Sequence, residues 1–542
     1  MTIRFLYKLL NAVHSISTKY TIAFLFMCLT ILRFSNPLQT QEISCTTWVK
    51  RGIAATLPEK VELTSKELEE IIKQTQFDLQ NDDSDKEEEE EEEAIGDEAD
   101  SEKNKVKKNY DVNNSSMETD EYDFDKYDKE SGDIHCNIGN IVSFGEDGKD
   151  PLITSAEIDD DSEKEDDMIK GDDNLVLLGH VDGDASILEI FVYNAAEGSF
   201  YCHHDILLPS FPLCIEWLNF DPSDTMPANL CAIGSMTPII EVWDLDLIDC
   251  LEPVFKLGRK PSKKKKLTRI GHKDAVLDLA WNKNYTHILA SGSVDQTVLL
   301  WDLENGKPAT KLDPFNEKVQ SLEWHPLETH HLLTGCADQV ARLFDCKLES
   351  NVKEWQTPGE IERVLWNHFD ANHFLISTNN GYLEYYDIRE DSPIWQVKAH
   401  EAEITGLSFS SSYPGLLVTS SNDSIIKVWD ILDSKDPCVI WEKKTNLGAL
   451  QCLAANPDIP LVFAVGGDNK AHNFKVIDLS EISTVNDRFK KRETVHLEMK
   501  ENSKKGEDYG IKGEMMEVAE GMESMALNIV NSSGVNKKKK KK

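Results

Sequence analysis

Two aromatic series interlock along this chain, and that interlock constrains the fold more than any other feature. One series closes short apolar runs, mostly just before an aspartate: Tyr193 in EIFVYN, Trp243 in IIEVWD, Trp301 in TVLLWD, Phe344 in VARLFD, Tyr386 in YLEYYD, Trp429 in IIKVWD and, degraded, Phe474 in AHNFKV. The other precedes it: Trp217 in CIEWLNF, Trp281 in LDLAWN, Trp324 in SLEWHP, Trp366 in RVLWNHF and Phe409 in GLSFS, with Ala454 in QCLAANP at the equivalent place. From Trp281 to Trp301 is 20 residues, and the steps 324 to 344, 366 to 386, 409 to 429 and 454 to 474 have the same length. Each unit consists of short β-rich runs separated by Gly, Asn, Asp and Pro turns, and the units return about every 43 residues.

A single such unit cannot cover both faces of its own small sheet, so the units must stack radially and bury one another's aromatics. The period is the signature of WD40 repeats, each a four-stranded blade, and seven beats predict an all-β, seven-bladed WD40 β-propeller. In the best repeat, GHKDAVLDLAWNKNYTHILASGSVDQTVLLWD, the residues His272, Ser291, Asp295 and Trp301 stand where WD40 proteins place a buried hydrogen-bonded tetrad. His400, Thr419, Asp423 and Trp429 repeat the set. Ser, His and Asp together resemble a hydrolase triad, but a set repeated inside packed sheets reads as structural satisfaction of buried polar groups. No P-loop, HExxH or G-x-S-x-G sequence occurs, so neither catalytic residues nor a cofactor is expected.

The formal net charge of -39 disfavours anionic partners on average and points to basic ones such as histone tails or ribosomal proteins. Eleven cysteines are scattered without a C-x-x-C pair or zinc spacing, which fits a reduced intracellular compartment. Two histidine pairs, His203-His204 and His330-His331, attract a metal reading, but adjacent residues on a strand point to opposite faces, so no metal site is expected.

The chain divides into a hydrophobic prefix (1–40), an N-terminal motif with an amphipathic helix (41–80), an acidic disordered segment (81–132), the propeller (133–482) and a disordered tail (483–542) that ends in six lysines. The propeller carries an acidic insertion at 155–174, between IVSFGEDGKDPLIT and LVLLGH, and a basic one at 258–271 that holds Lys263, Lys264, Lys265 and Lys266. The basic loop is read as a targeting signal, as a weak or indirect contact to nucleic acid or as a solvated disordered loop, and the tail as one of the first two. Ser84, Ser101 and Ser162 are flanked by acidic residues and are candidate phosphorylation sites. In LTSKELEEIIKQTQFDL, Thr64 and Glu67 form a capping-box pattern, and Leu68, Ile71, Ile72, Thr75 and Leu79 make a stripe at helical spacing. The prefix contains TIAFLFMCLTIL, which fits a signal-peptide core better than a membrane span of about 20 residues.

Longer motifs carry a more specific likeness. DILLPSFPLCIEWLNFDPSD, TPIIEVWDLDLIDCLEPVFKLG, HKDAVLDLAWNK, GEIERVLWNHF and, near the start, SCTTWVKRGIAATLPEKVELTSKELEEII resemble the periodic tryptophan protein family, specifically its first member. The resemblance implies a nucleolar and nuclear WD40 protein in ribosome biogenesis, acting in rRNA transcription and pre-rRNA processing, with chromatin association through histones. Its partners would be ribosome-assembly factors, histones and the rDNA transcription machinery. The first forty residues have no counterpart in the family, which begins near SCTTWV. They are read as a translated upstream region or gene-model error in preference to an anchor or an alternative isoform, and without them no membrane contact is expected. Two other functions compete with the scaffold. YYDIRED places Tyr386, Asp387 and Arg389 in a pattern like the W-D-x-R box of cullin-RING substrate receptors, and the acidic tracts fit a histone chaperone.

Overall fold

The computed structural model describes residues 41–61 and 168–495, apart from 184, 224–226, 262–266, 349 and 433–435. All elements below belong to one unit of the chain. They form seven antiparallel sheets, here blades 1 to 7, with strands lettered a to d from the axis outward. Blade 1 is Gln41–Val49, Asn174–Asp182, Ala185–Asn194 and Ser199–Leu208; blade 2 is Pro212–Leu218, Leu230–Ser235, Ile240–Asp244 and Phe255–Leu257. Blade 3 is Val276–Trp281, Ile288–Ser293, Val298–Asp302 and Lys307–Leu312; blade 4 is Val319–Trp324, His331–Cys336, Val340–Asp345 and Ser350–Gln356. Blade 5 is Ile361–Trp366, His373–Thr378, Tyr382–Asp387 and Trp395–Lys398; blade 6 is Gly406–Phe409, Leu416–Ser420, Ile425–Asp430 and Cys438–Lys444. Blade 7 has three described strands, Leu450–Ala455, Val462–Gly467 and Phe474–Asp478. Strands a pack against one another in the cyclic order 1-2-3-4-5-6-7-1, so the ring is closed.

Residue type follows position in the blade. The b strands lie between two neighbouring blades and are buried on both faces, which is why LLVTS and VFAVGG are unbroken apolar and small runs. The d strands face solvent and carry charge, as in CVIWEKK. The aspartate or asparagine that ends strand c of each blade is a turn cap. Asp302 Oδ1 accepts from the N–H groups of Glu304 (3.0 Å) and Asn305 (3.2 Å), and Asn194, Asp345 and Asp478 cap their turns in the same way.

Part of the second series knits blades together, whereas Trp217 Nε1 and Trp281 Nε1 donate within their own blades, to Asn229 Oδ1 (3.1 Å) and Thr286 O (2.8 Å). Trp324 Nε1 donates to Ala280 O (2.9 Å) of the preceding blade, Trp366 Nε1 to Glu323 O (3.3 Å), and Trp48 Nε1 to Ala454 O (3.1 Å) across the junction between blades 7 and 1. Trp48 is thus the second-series residue of blade 1, and SCTTWV at 44–49 has the same form as LCIEWL at 213–218.

Four expectations change. The propeller begins at Gln41 rather than at 133, because Gln41–Val49 is the innermost strand of blade 1 and pairs with Asn174–Asp182. IVSFGEDGKDPLIT, the helix expected at 65–79 and most of the acidic insertion lie outside the described residues. The last residues of that insertion are structural: Asn174 is fully buried and its Nδ2 donates to Val49 O (3.2 Å) and Asp458 Oδ2 (2.7 Å). In blade 7 the Trp301 position falls on Ile477, three residues beyond Phe474, since Ile477 pairs with Phe463 as Trp301 pairs with Leu289. The tail expected to be disordered from 483 opens with helix α1, Ser483–Phe489, whose Val485 and Phe489 are fully buried. Among the described residues no helix is long and apolar enough to cross a membrane.

Candidate functional site

Both tetrads assemble. His272 Nδ1 meets Asp295 Oδ2 at 3.1 Å and its Nε2 meets Ser291 Oγ at 2.7 Å, while Trp301 Nε1 donates to the same Oγ at 2.8 Å. In blade 6, His400 Nδ1 lies 3.0 Å from Asp423 Oδ2 and its Nε2 lies 2.8 Å from Thr419 Oγ1, to which Trp429 Nε1 donates at 3.0 Å. Burial disfavours the Asp295 carboxylate, yet hydrogen bonds from His272 and Thr297 and the N–H of Lys273 hold it well below the usual range. Burial lowers His400, and the Asp423 charge only partly offsets this. Ser291 and Thr419 are fully buried with their hydroxyls committed, so the sets act as fasteners between the entry loop and the b and c strands.

The basic insertion stands on a fixed stem. Arg259 and Ile270 exchange both backbone hydrogen bonds (2.7 and 3.0 Å), and Gly271, at φ +94°, packs so closely on Trp301 that a Cβ there would lie 2.7 Å from Cη2. Lys263, Lys264, Lys265 and Lys266 lie outside the described residues, as do Ser84, Ser101 and Ser162.

Tyr386, Asp387 and Arg389 sit at the c–d turn of blade 5. Tyr386 is buried and its hydroxyl donates to Glu384 Oε2 (2.9 Å). Arg389 donates to Asp387 through Nε (2.8 Å) and Nη2 (2.5 Å), which pulls that carboxylate down to about 2. The Arg389 side chain stays 67% exposed. A fixed guanidinium is therefore presented at the rim.

Three features were not read from the sequence. Around the axis, strand a of blades 1, 2, 3, 4, 5 and 7 has a β-bulge near its start, which turns Leu213, Leu277, Gln320, Glu362 and Gln451 towards a cavity of about 230 Å³ that Arg363 also lines. Below this mouth, polar side chains satisfy the open edge of the next blade's strand a. Asp278 Oδ2 accepts from Leu322 N (2.7 Å), Ser321 Oγ from Val364 N (3.2 Å) and Glu216 Oε1 from Trp281 N (3.3 Å), while Glu323 Oε2 accepts from Trp366 N. Burial pushes Glu216 up to about 7 and Glu323 up to about 8.

The second feature is the outer edge of blade 7, where Phe191, Phe200 and Phe474 stack beside the third strand and Phe200 is 42% exposed. The third concerns the histidine pairs, for which strict strand alternation fails. His203 is the extra residue of a bulge, since Ile190 pairs with His204 and Phe191 with Cys202, and this brings the two Nδ1 atoms to 2.9 Å. His330 lies in the turn before strand b of blade 4, and a donor atom from each of His330, His331 and Asp345 falls within 4.8 Å of the others.

The WD domain, G-beta repeat family model matches residues 263–302 and 391–430, the two stretches that contain the complete tetrads. The chain is 45% identical over 427 residues to the periodic tryptophan protein 1 homolog of Drosophila melanogaster, covering 78% of this chain and 90% of that protein. The chain belongs to the periodic tryptophan protein 1 family. Periodic tryptophan protein 1 of Saccharomyces cerevisiae is 33% identical over 536 residues, covering 85% of this chain and 92% of that one. An uncharacterized WD repeat-containing protein of Schizosaccharomyces pombe is 37% identical over 405 residues, with coverages of 72% and 78%. For a periodic tryptophan protein 1 family member the recurring tryptophans now have two physical jobs, core packing in strand c and hydrogen bonding from strand a, which for Trp48, Trp324 and Trp366 crosses to the preceding blade.

Proposed function

We propose that this protein is a non-enzymatic WD40 scaffold of ribosome biogenesis, acting in rRNA transcription and pre-rRNA processing in the nucleolus and associating with histones or chromatin. Membership of the periodic tryptophan protein 1 family carries the reading. The -39 net charge supports it through basic partners, namely ribosome-assembly factors, histones and proteins of the rDNA transcription machinery. Contacts to nucleic acid through the basic loop and the lysine-ended tail are indirect or weak, and no membrane contact is expected of a mature chain without residues 1–40. The test is to tag the chain at its C-terminus, with and without residues 1–40, image it against a nucleolar marker, sequence the mature N-terminus, and pulse-label rRNA after depletion. Nucleolar signal with delayed pre-rRNA maturation is expected. A secretory or membrane signal from the endogenous protein, or unchanged rRNA maturation, overturns the reading.

A second reading rests on the exposed, Asp387-fixed guanidinium of Arg389: docking to the adaptor of a cullin-RING ligase. It requires that a cullin adaptor co-purify with the native chain and be lost with Arg389→Ala. A clean pull-down without the adaptor removes it.

A further inference from the structure

We propose that His330, His331 and Asp345 at the base of blade 4 form a binding site for a divalent transition metal of the Zn²⁺ class. Asp345 ends strand c and lies directly across from His331, which begins strand b. His330 is held beside them by the bond from Cys346 N to His330 O (2.9 Å), and the two imidazoles lie 4.9 Å apart by ring centroids. The cross-strand pairing therefore fixes two donors, and the turn swings the third onto the same side.

The chemistry of each donor suits a cation. Asp345 Oδ1 accepts from the backbone N–H of Lys347 (2.9 Å) and Leu348 (3.2 Å), which orients the carboxylate and leaves Oδ2 to face a metal. Glu328 sits on Nδ1 of His331, where it serves either as the fourth ligand, through a carboxylate oxygen, or as the carboxylate that orients the ring. His325, the other nearby imidazole, is occupied: its Nε2 meets Ala371 O (3.0 Å), and its Nδ1 accepts from the N–H groups of Leu327 and Glu328. Two imidazoles and a carboxylate favour zinc and its first-row neighbours over calcium or magnesium, which prefer oxygen alone. In a tetrahedral site with bonds near 2.0 Å the ligand atoms stand roughly 3.3 Å apart, so small side-chain rotations close the present spacing of at most 4.8 Å. All three residues are partly exposed, so the ion enters from solvent and, once bound, ties the start of strand b to the end of strand c.

The experiment uses the full chain without a histidine tag. Zn²⁺ titration by calorimetry and Co²⁺ titration by visible absorption are run on the native chain, His330→Ala, Asp345→Asn and, as a control, His203→Ala. One equivalent should bind the native and His203→Ala chains, with Co²⁺ showing intense tetrahedral bands. His330→Ala and Asp345→Asn should each bind at least about tenfold more weakly. Far-UV circular dichroism and metal-free melting show that these variants fold. Equal affinity in native and variant chains, or no binding to the native chain, overturns the site; equal affinity would place the cation on other carboxylates.

Discussion

At the residue scale, one hydroxyl closes each tetrad by serving a histidine and a tryptophan at once. Ser291→Ala leaves His272 Nε2 and Trp301 Nε1 without their shared partner inside the sheet. A loss of about 2–3 kcal/mol in urea unfolding is expected, with a similar loss for Thr419→Val. The two sites share no partner, so the double variant should lose the sum. The buried carboxylates give a test of opposite character. Glu323, pushed up to about 8, stays protonated in the folded chain over a range where the unfolded chain has ionised. The folded state then binds more protons, and stability drawn from this residue falls as pH rises from about 4.5 to about 8. Glu323→Gln keeps an acceptor for Trp366 N and removes the titration, so its stability relative to the native chain should grow across that window. A pH-independent difference in unfolding midpoint between the two chains would refute the assignment. His400 works in the other direction: its lowered folded value means that stability is lost as pH falls below the ordinary histidine range.

At the element scale, α1 anchors the chain after blade 7. Arg492 donates to Asp430 Oδ1 (3.0 Å), to Asp430 Oδ2 (2.8 Å) and to Pro414 O (2.6 Å), and its guanidinium lies 4.6 Å from the centre of the Phe489 ring. Arg488 Nε adds a bond to Asp430 Oδ2 (2.7 Å), and together the two arginines hold that buried carboxylate below its usual range against desolvation. Val485 and Phe489 complete a cluster with Leu416, Leu450 and Phe463, so the helix bridges blades 6 and 7. Phe489→Ala should therefore cost about 3–5 kcal/mol by chemical denaturation, as a core aromatic does, whereas truncation after Val495 should cost little. Equal and small effects would show that the helix is dispensable. The composition of 483–542 as a whole hides this helix, because two buried residues in a seven-residue segment make too short a pattern to stand out.

At the scale of the whole molecule, closure depends on a strand that lies far from its blade in sequence. Gln41–Val49 fills the gap between strands a of blades 7 and 2, and Cys452 Sγ donates to Ile43 O across the same seam (3.7 Å). A chain cut within 63–168 should remain one particle, with its N-terminal fragment held by the eight backbone partners of that strand, and should separate only in denaturant. Size-exclusion chromatography of the nicked protein before and after urea checks this; dissociation in buffer would mean that the ring does not need the strand. Deletion of 41–49 should leave blade 1 without its inner strand and the chain insoluble, because both flanking a strands would then expose apolar faces.

The sequence by itself determined the number of blades, the two tryptophan series, the turn-capping aspartates and both tetrads, because each is written within about forty residues and repeated. Two complete tetrads were legible, and the Asp387–Arg389 pair sits within three residues. The tertiary structure alone decided which strand closes the ring, since Trp48 and Ala454 meet across 406 positions and no local period connects them. It also decided that Glu216, Glu323 and Asp278 face inward to cap the next blade, and that a turn breaks strand alternation to bring His330, His331 and Asp345 together. Such facts depend on the edge of one blade meeting the side chains of another, and that geometry exists only after the blades have stacked.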